Sequence, residues 1–172
     1  HRGDGVLHRA FSIHVFDDKN RLLMQKRASH KITFPDVWAN TVCSHPLHVA
    51  DELNGEDNNV GTKVAAIRKM EQELGISSDT FHTDDIHMIT RMMYRARADQ
   101  IWVEHELDHI LFARATPDME VSPNPNEISE VQWVTQDELN QWLSEKPQDG
   151  RVIAPWFRLI AENKGDSNET IH

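Results

Sequence analysis

Alternation and helical spacing of apolar residues divide this chain into segments. From Ala10 to Phe16, Phe11, Ile13 and Val15 alternate with Ser12 and His14, the period-2 pattern of a strand with one buried face. Arg21 to Arg27 follows the turn-rich tetrad Asp17-Asp18-Lys19-Asn20, which predicts a strand pair. Ala50 to Asn59 is acidic and carries Asn54-Gly55 and Asn58-Asn59, which marks it as a loop, expected to be a mobile insertion. Beyond it Val60, Val64, Ile67, Met70 and Leu74 recur at helical spacing, and Gly75 stands where a left-handed residue would end the helix.

Ile86 to Arg97 and Ile101 to Arg114 read as long strands around Ala98-Asp99-Gln100, although His82, Met92 and Met93 blur the first pattern. Pro117 to Pro125 is a proline-marked connection, and Ile128 to Val134 is a further strand. Thr135 and Glu138 form a capping box for a short helix through Leu139, Trp142 and Leu143. Pro155 suits the first turn of a closing helix with Trp156, Leu159 and Ile160. Strands first, one helix in the middle and helices at the end predict an α+β fold in one domain over residues 1–172.

Composition narrows the partners. Asp and Glu number 28 against 18 Lys and Arg, a net charge of -10, so the overall field repels nucleic acid and anionic membranes and neither is an expected partner. A polyanionic small molecule would need clustered cations or a divalent metal, which override the average charge at short range. No apolar run approaches the roughly 20 residues of a membrane span. Cys43 is the only cysteine, so no intrachain disulfide is possible, as in a reducing compartment. A cytoplasmic monomer or weak dimer is expected, with organelle targeting left open by whatever precedes His1.

Chemistry concentrates in two stretches. Thr41-Val42-Cys43-Ser44-His45-Pro46 sets a thiol two residues from an imidazole, and Glu104-His105-Glu106 sets two carboxylates at strand spacing. In an extended segment Glu104 and Glu106 share a face while His105 points away. Together these groups make a metal site with an acid/base pair if His1 and His8 also converge there. Lys69 and Glu73, four apart on the polar face of the helix, can act on one ligand.

Each feature alone has an ordinary explanation. The cysteine could be a small buried hydrophobe, the carboxylates a solvated strand face, Trp156 core packing like Trp133 and Trp142, and Lys69 with Glu73 a surface ion pair. His14, His30, His48, His82, His87, His105, His109 and His172 carry no assigned role.

The order of Leu7-His8-Arg9-Ala10-Phe11-Ser12, Lys31-Ile32-Thr33-Phe34-Pro35, Trp38 to Pro46, Glu73-Leu74-Gly75, Tyr94-Arg95-Ala96, Glu104-His105-Glu106 and Pro155-Trp156-Phe157 resembles type I isopentenyl diphosphate isomerase, a divergent member of the Nudix fold. The resemblance covers nearly the whole chain. It implies an α/β/α sandwich with a mixed central sheet. The implied reaction is isomerisation of isopentenyl diphosphate to dimethylallyl diphosphate, by antarafacial protonation and deprotonation through a tertiary carbocation. The implied partner is a small-molecule diphosphate substrate.

Carried over by residue, the resemblance implies that His1, His8, His45, Glu104 and Glu106 hold a divalent metal, zinc or manganese. It makes Cys43 and Glu106 the catalytic pair, Tyr94 a supporting hydroxyl and Trp156 an aromatic wall. Arg27, Lys31 and Lys69 become diphosphate contacts, and Glu73 with the Cys43 carbonyl holds a magnesium ion on the diphosphate. One departure is Lys69, where the family pattern has Arg, which keeps the charge but loses the bidentate geometry.

Three rivals remain at this stage. A Nudix diphosphate hydrolase shares the expected fold, but Arg68-Lys69-Met70-Glu71-Gln72-Glu73 puts Lys and Gln where two metal-gathering acids are wanted. A non-catalytic binding module is the second, since fold does not fix activity. A Cys/His hydrolase built on Cys43 and His45 is the third.

Overall fold

The computed structural model describes residues 5–55, 58–97, 103–144 and 150–162, with the backbone alone for Tyr94 and Arg97. In chain order these form β1 (His8–Phe16), β2 (Leu22–Arg27), β3 (Trp38–Ala39), β4 (Val42–Ser44), α1 (Ala50–Leu53), α2 (Val60–Leu74), a 3-10 turn (Thr83–Asp85), β5 (His87–Arg97), β6 (Val103–Arg114), β7 (Ile128–Val134), α3 (Gln136–Leu143) and α4 (Pro155–Glu162). The expected strands and helices are present, and the predicted capping box closes on α3, where Thr135 accepts from the Glu138 amide and Glu138 from that of Thr135.

The strands make one mixed sheet in the order β3-β2-β1-β6-β5, with β4 on β1 and β7 on β2. β1 and β6 run parallel from His8 opposite Glu106 to Phe16 opposite Arg114, a pairing of elements distant in sequence that local patterns do not announce. β5 is antiparallel to β6, with a register shift between Met88 and Thr90.

Each face of the sheet buries its own cluster. On one, Phe11, Ile13, Val15, Leu23 and Leu111 meet Ala65, Ala66, Met70 and Leu74 of α2. On the other, Leu22, Met24, Val37 and Val134 meet Trp142 of α3 and Trp156 and Phe157 of α4. The result is the α/β/α sandwich with a mixed central sheet that the resemblance implies. α2 ends at Gly75 with φ 63°, whose amide donates to the Glu71 carbonyl at 3.0 Å. A Cβ there would sit 2.6 Å from the Ser122 carbonyl oxygen, so the cap needs glycine for both conformation and space. No helix among the described residues is long and apolar enough to cross a membrane.

One expectation is corrected. The acidic stretch after His48 does not begin as a mobile loop, because Ala50–Leu53 forms α1 and Glu52 is 3% exposed. Helix propensity could not reveal this, since a four-residue helix is held by its contacts rather than by its own hydrogen bonds.

His14, in the middle of β1, is buried between Phe112 and Phe157, at ring distances of 5.2 and 5.9 Å. Its Nδ1 lies 3.3 Å from the Leu111 carbonyl oxygen, and its Nε2 has no hydrogen-bond partner among the described residues. Burial pushes its pKa down to about 4 from 6.5, with the Leu111 carbonyl pulling the other way. The unfolded chain therefore binds the proton first as pH falls, and stability present above pH 6.5 is lost toward pH 4. The loss is about 3 kcal/mol from this residue. Denaturant unfolding at about pH 7 and about pH 4 should show this as a fall that is distinctly smaller in His14→Gln. An equal fall in both proteins would exclude His14 as its source.

Candidate active site

Three strands bring the site together. β1 lies between β6, paired parallel with His8 opposite Glu106, and β4, paired antiparallel with Ser12 opposite Cys43. Side chains alternate across a strand, so His8 and Ser12 of β1, Cys43 of β4 and Glu104, Glu106 and Asp108 of β6 emerge on one face. His45 follows β4 directly. These strands, helix α2, the segment after β2 and the start of α4 enclose a cavity of about 450 Å³. Its lining includes Arg27, Lys31, Cys43, His45, Lys69, Glu73, Glu104, Glu106 and Trp156.

At one side of the cavity His8 Nε2 and His45 Nε2 lie 3.0 Å apart, and Glu106 Oε1 is 3.2 Å from the first and 2.8 Å from the second. The ligand atoms of these three residues all lie within 4.8 Å of one another. His8 Nδ1 is 2.7 Å from the Val6 carbonyl oxygen. A carbonyl only accepts, so Nδ1 carries a proton and Nε2 is the nitrogen left to face a cation, the arrangement a metal-binding imidazole needs. Two nitrogens and a carboxylate oxygen at these separations fit a divalent transition-type cation. Burial works against a charge on His45, but the hydrogen bond and charge of Glu106, with Glu104 and Asp108 beyond, raise its pKa above the ordinary value. Glu104 is raised too, first by burial and then by Glu106. Of the expected ligands, His1 lies outside the described residues; so does the side chain of Tyr94, the expected supporting hydroxyl, whose backbone pairs with Glu106.

Cys43 sits deeper. Its thiol donates to Asn40 Oδ1 at 2.9 Å and accepts from Trp156 Nε1 at 2.9 Å, with Ser12 Oγ at 3.5 Å. Asn40 Nδ2 donates to the carbonyls of Ile13 and Val42 at 2.9 and 3.1 Å. Both amide hydrogens are thereby committed, so its oxygen is left to face sulfur and favours the protonated thiol. Burial, then the charge of Asp108, pushes the Cys43 thiol far up. Ser12 Oγ donates to Asp108 Oδ2 at 2.7 Å, and burial pushes that carboxyl up to about 7. Ser12, Asn40 and Asp108 were not singled out from the sequence. The alternation of β6 carries Asp108 onto the Glu104 and Glu106 face, which was the one available signal.

The cations of the lining are internally engaged. Lys31 Nζ meets Glu127 Oε2 at 2.5 Å and Lys69 Nζ meets Glu73 Oε1 at 2.7 Å. The Arg27 guanidinium donates to the Thr33 and Phe34 carbonyls, each at 3.0 Å. Phe34 itself has φ 46°, a costly conformation for an aromatic residue. Its ring meets Trp156 edge-on at 5.3 Å, and Arg27 lies 5.8 Å from the indole centre. Burial raises the pKa of Glu73, with Lys69 working to lower it. Glu127 is a further cavity residue that the sequence pattern did not indicate.

Residues 6–157 match the NUDIX domain family. The chain is 47% identical to the isopentenyl-diphosphate delta-isomerase of Gibberella zeae, over 92% of this chain and 62% of that protein. It is 43% identical to isopentenyl-diphosphate Delta-isomerase I of Camptotheca acuminata, over 93% of this chain and 68% of that protein. It thus spans between about half and two thirds of the length of such curated relatives. Among solved structures, the NUDIX hydrolase of Alicyclobacillus acidocaldarius superposes with a TM-score of 0.62 at 11% identity, covering 92% of this chain and 91% of that one. At that identity the likeness is one of fold alone. The chain belongs to the NUDIX domain family and, within it, to the isopentenyl-diphosphate Delta-isomerases.

Proposed function

We propose that this chain isomerises isopentenyl diphosphate to dimethylallyl diphosphate. The observation that carries the reading is the placement of two groups able to exchange protons, the Cys43 thiol and the Glu106 carboxylate, in the lining of one cavity that also holds Arg27, Lys31 and Lys69. The names of the relatives support it. Moving a double bond along an unactivated alkene needs a proton delivered to the terminal carbon and another withdrawn from the carbon on the far side of the former double bond. One of Cys43 and Glu106 gives and the other takes, so each turnover leaves their protonation states exchanged and a return of the proton completes the cycle.

The intermediate is a tertiary carbocation. It must be kept from water, and Trp156 faces the cavity beside Cys43 with its indole held by Phe34. An indole face contributes on the order of 2 kcal/mol to a desolvated cation, worth more than tenfold in rate if felt in the transition state. Asn40 and the indole N–H complement the two states of Cys43. The carbonyl of Asn40 accepts from the thiol and the indole N–H donates to the thiolate, so neither state leaves the sulfur unpaired.

His8, His45 and Glu106, with Glu104 beside them, are the residues that would hold the divalent ion, and His1 is the further ligand implied by the family. Bound there, zinc or manganese would supply a positive charge that stabilises the carboxylate form of Glu106. Lys31, Lys69 and Arg27 would hold the diphosphate. Glu73 and the Cys43 carbonyl would take the magnesium ion that accompanies it, an all-oxygen setting that suits magnesium. Hydrolysis is disfavoured by Lys69, which places a cation where a hydrolase gathers metal with an acid, and whose ammonium holds Glu73.

With the metal-loaded protein in deuterated water, isopentenyl diphosphate should take up solvent deuterium and yield dimethylallyl diphosphate. Cys43→Ala and Glu106→Gln should each slow this by about 10²-fold or more. Loaded protein that binds the diphosphate yet exchanges nothing would leave only the binding-module reading, and phosphate release from nucleoside diphosphate derivatives would favour hydrolysis. Lys31→Ala should raise KM by about tenfold or more with a smaller effect on kcat, because it removes a contact to the phosphate rather than to the reacting carbons. Steady-state kinetics would count against that role if kcat alone fell.

A further inference from the structure

The first Arg of the run Arg68-Lys69-Met70-Glu71-Gln72-Glu73 has no part in the chemistry above, yet its guanidinium is committed inward. Arg68 Nε donates to Glu52 Oε1 at 2.5 Å and Nη2 to Glu52 Oε2 at 3.0 Å, a two-pronged ion pair that buries the Glu52 carboxylate. Both partners also reach the backbone on either side of Pro46. Arg68 Nη2 donates to the His45 carbonyl at 3.3 Å, and Glu52 Oε2 accepts from the Leu47 amide at 2.6 Å.

We propose that Glu52 and Arg68 are positioning residues that fix the backbone of His45 and thereby set the affinity of the His8, His45 and Glu106 group for a divalent cation. β4 ends at Ser44, so its ladder does not fix the residues that follow. His45 must nonetheless hold Nε2 within 3 Å of both His8 and Glu106, and a displacement of about 1 Å is enough to loosen such a group. The tether supplies the missing constraint from two directions, through a carbonyl before Pro46 and an amide after it.

The short helix α1 is explained by the same device. Its one buried side chain is Glu52. The helix lies so close to the first turn of α2 that a Cβ on Gly61 would stand 2.7 Å from the Glu52 carbonyl. The Gly61 amide donates to the Asn54 carbonyl at 2.8 Å, and Arg9, beside His8 on β1, reaches the Glu52 carbonyl at 3.5 Å. Arg68 hydrogen bonding holds the Glu52 carboxyl below the ordinary carboxylate range, as a persistent pair requires. The acidic segment thus delivers one carboxylate to the underside of the His45 turn.

This inference rests on the proposed cation site but not on the isomerase reaction, so its test needs no substrate. Zinc affinity is measured by competition with a chromogenic chelator, together with the visible spectrum of the cobalt-loaded protein and the unfolding midpoint. Glu52→Gln and Arg68→Lys should each weaken zinc binding by about tenfold to a hundredfold, with an altered cobalt spectrum. The double variant should be little worse than either single one, because the two residues form one device. The exchanged pair Glu52→Arg with Arg68→Glu restores opposite charges but not the two backbone bonds. A merely structural salt bridge predicts that the exchange recovers affinity, whereas positioning predicts that it does not. Folded Arg68→Lys with wild-type zinc affinity and cobalt spectrum would overturn the inference, and so would recovery in the exchanged pair. If the wild-type protein binds no zinc at His8, His45 and Glu106, the site falls and the inference with it, whatever the isomerase assay shows.

Discussion

Parallel pairing of β1 with β6, in the register that sets His8 opposite Glu106, is the constraint on which the site depends. A slip by one residue would turn Glu104, Glu106 and Asp108 to the other face, and the carboxylates would leave the cavity together. The register is held by burial rather than by the polar groups themselves. Phe11, Ile13 and Val15 of β1 and Leu111 and Ala113 of β6 must share the face that α2 covers. The same alternation then delivers His8, Ser12 and the acids to the opposite face. Packing on one side of the sheet thus places chemistry on the other, and antiparallel β4 adds Cys43 on the free edge of β1.

The electrostatics follow from that crowding. The chain carries a net charge of -10, and Glu104, Glu106 and Asp108 stand on one strand face. Burial raises the pKa of Glu104 and that of Asp108, the expected response of carboxylates that lack enough positive charge nearby. A divalent cation on His8, His45 and Glu106 would supply that charge. In the same cavity lining, Lys31 and Lys69 already hold Glu127 and Glu73. Under the proposed reaction an incoming diphosphate would compete for cations that have internal partners, and an accompanying magnesium ion would take over the released carboxylates.

Elements with long, repeated patterns were legible in the sequence. The period-2 run of β1, the helical run of α2 with Gly75 at its end, and the capping box of α3 each carry their signal within a few neighbouring residues. Elements made by partners were not. β3 and β4 are two and three residues long and exist because β2 and β1 offer free edges, while α1 exists because Arg68 receives Glu52. The site was legible to the same degree. Cys43, His45, Glu104 and Glu106 announce themselves by spacing, whereas Ser12 and Asn40 are ordinary strand and turn residues until β1 and β4 lie side by side. The resemblance to a family supplied residue roles that spacing left open, and the geometry supplied the surroundings that the resemblance did not mention.

The most direct measurement is diffraction from crystals grown with a divalent transition metal and an unreactive diphosphate analogue of the substrate, using anomalous scattering to place the ion. The account predicts the ion at bonding distance, about 2.0–2.2 Å, from His8 Nε2, His45 Nε2 and Glu106. It also predicts the diphosphate on Lys31 and Lys69 and the hydrocarbon lying between the Cys43 sulfur and the Glu106 carboxylate. An ion bound elsewhere, or a hydrocarbon with both of those groups on the same side, would contradict it.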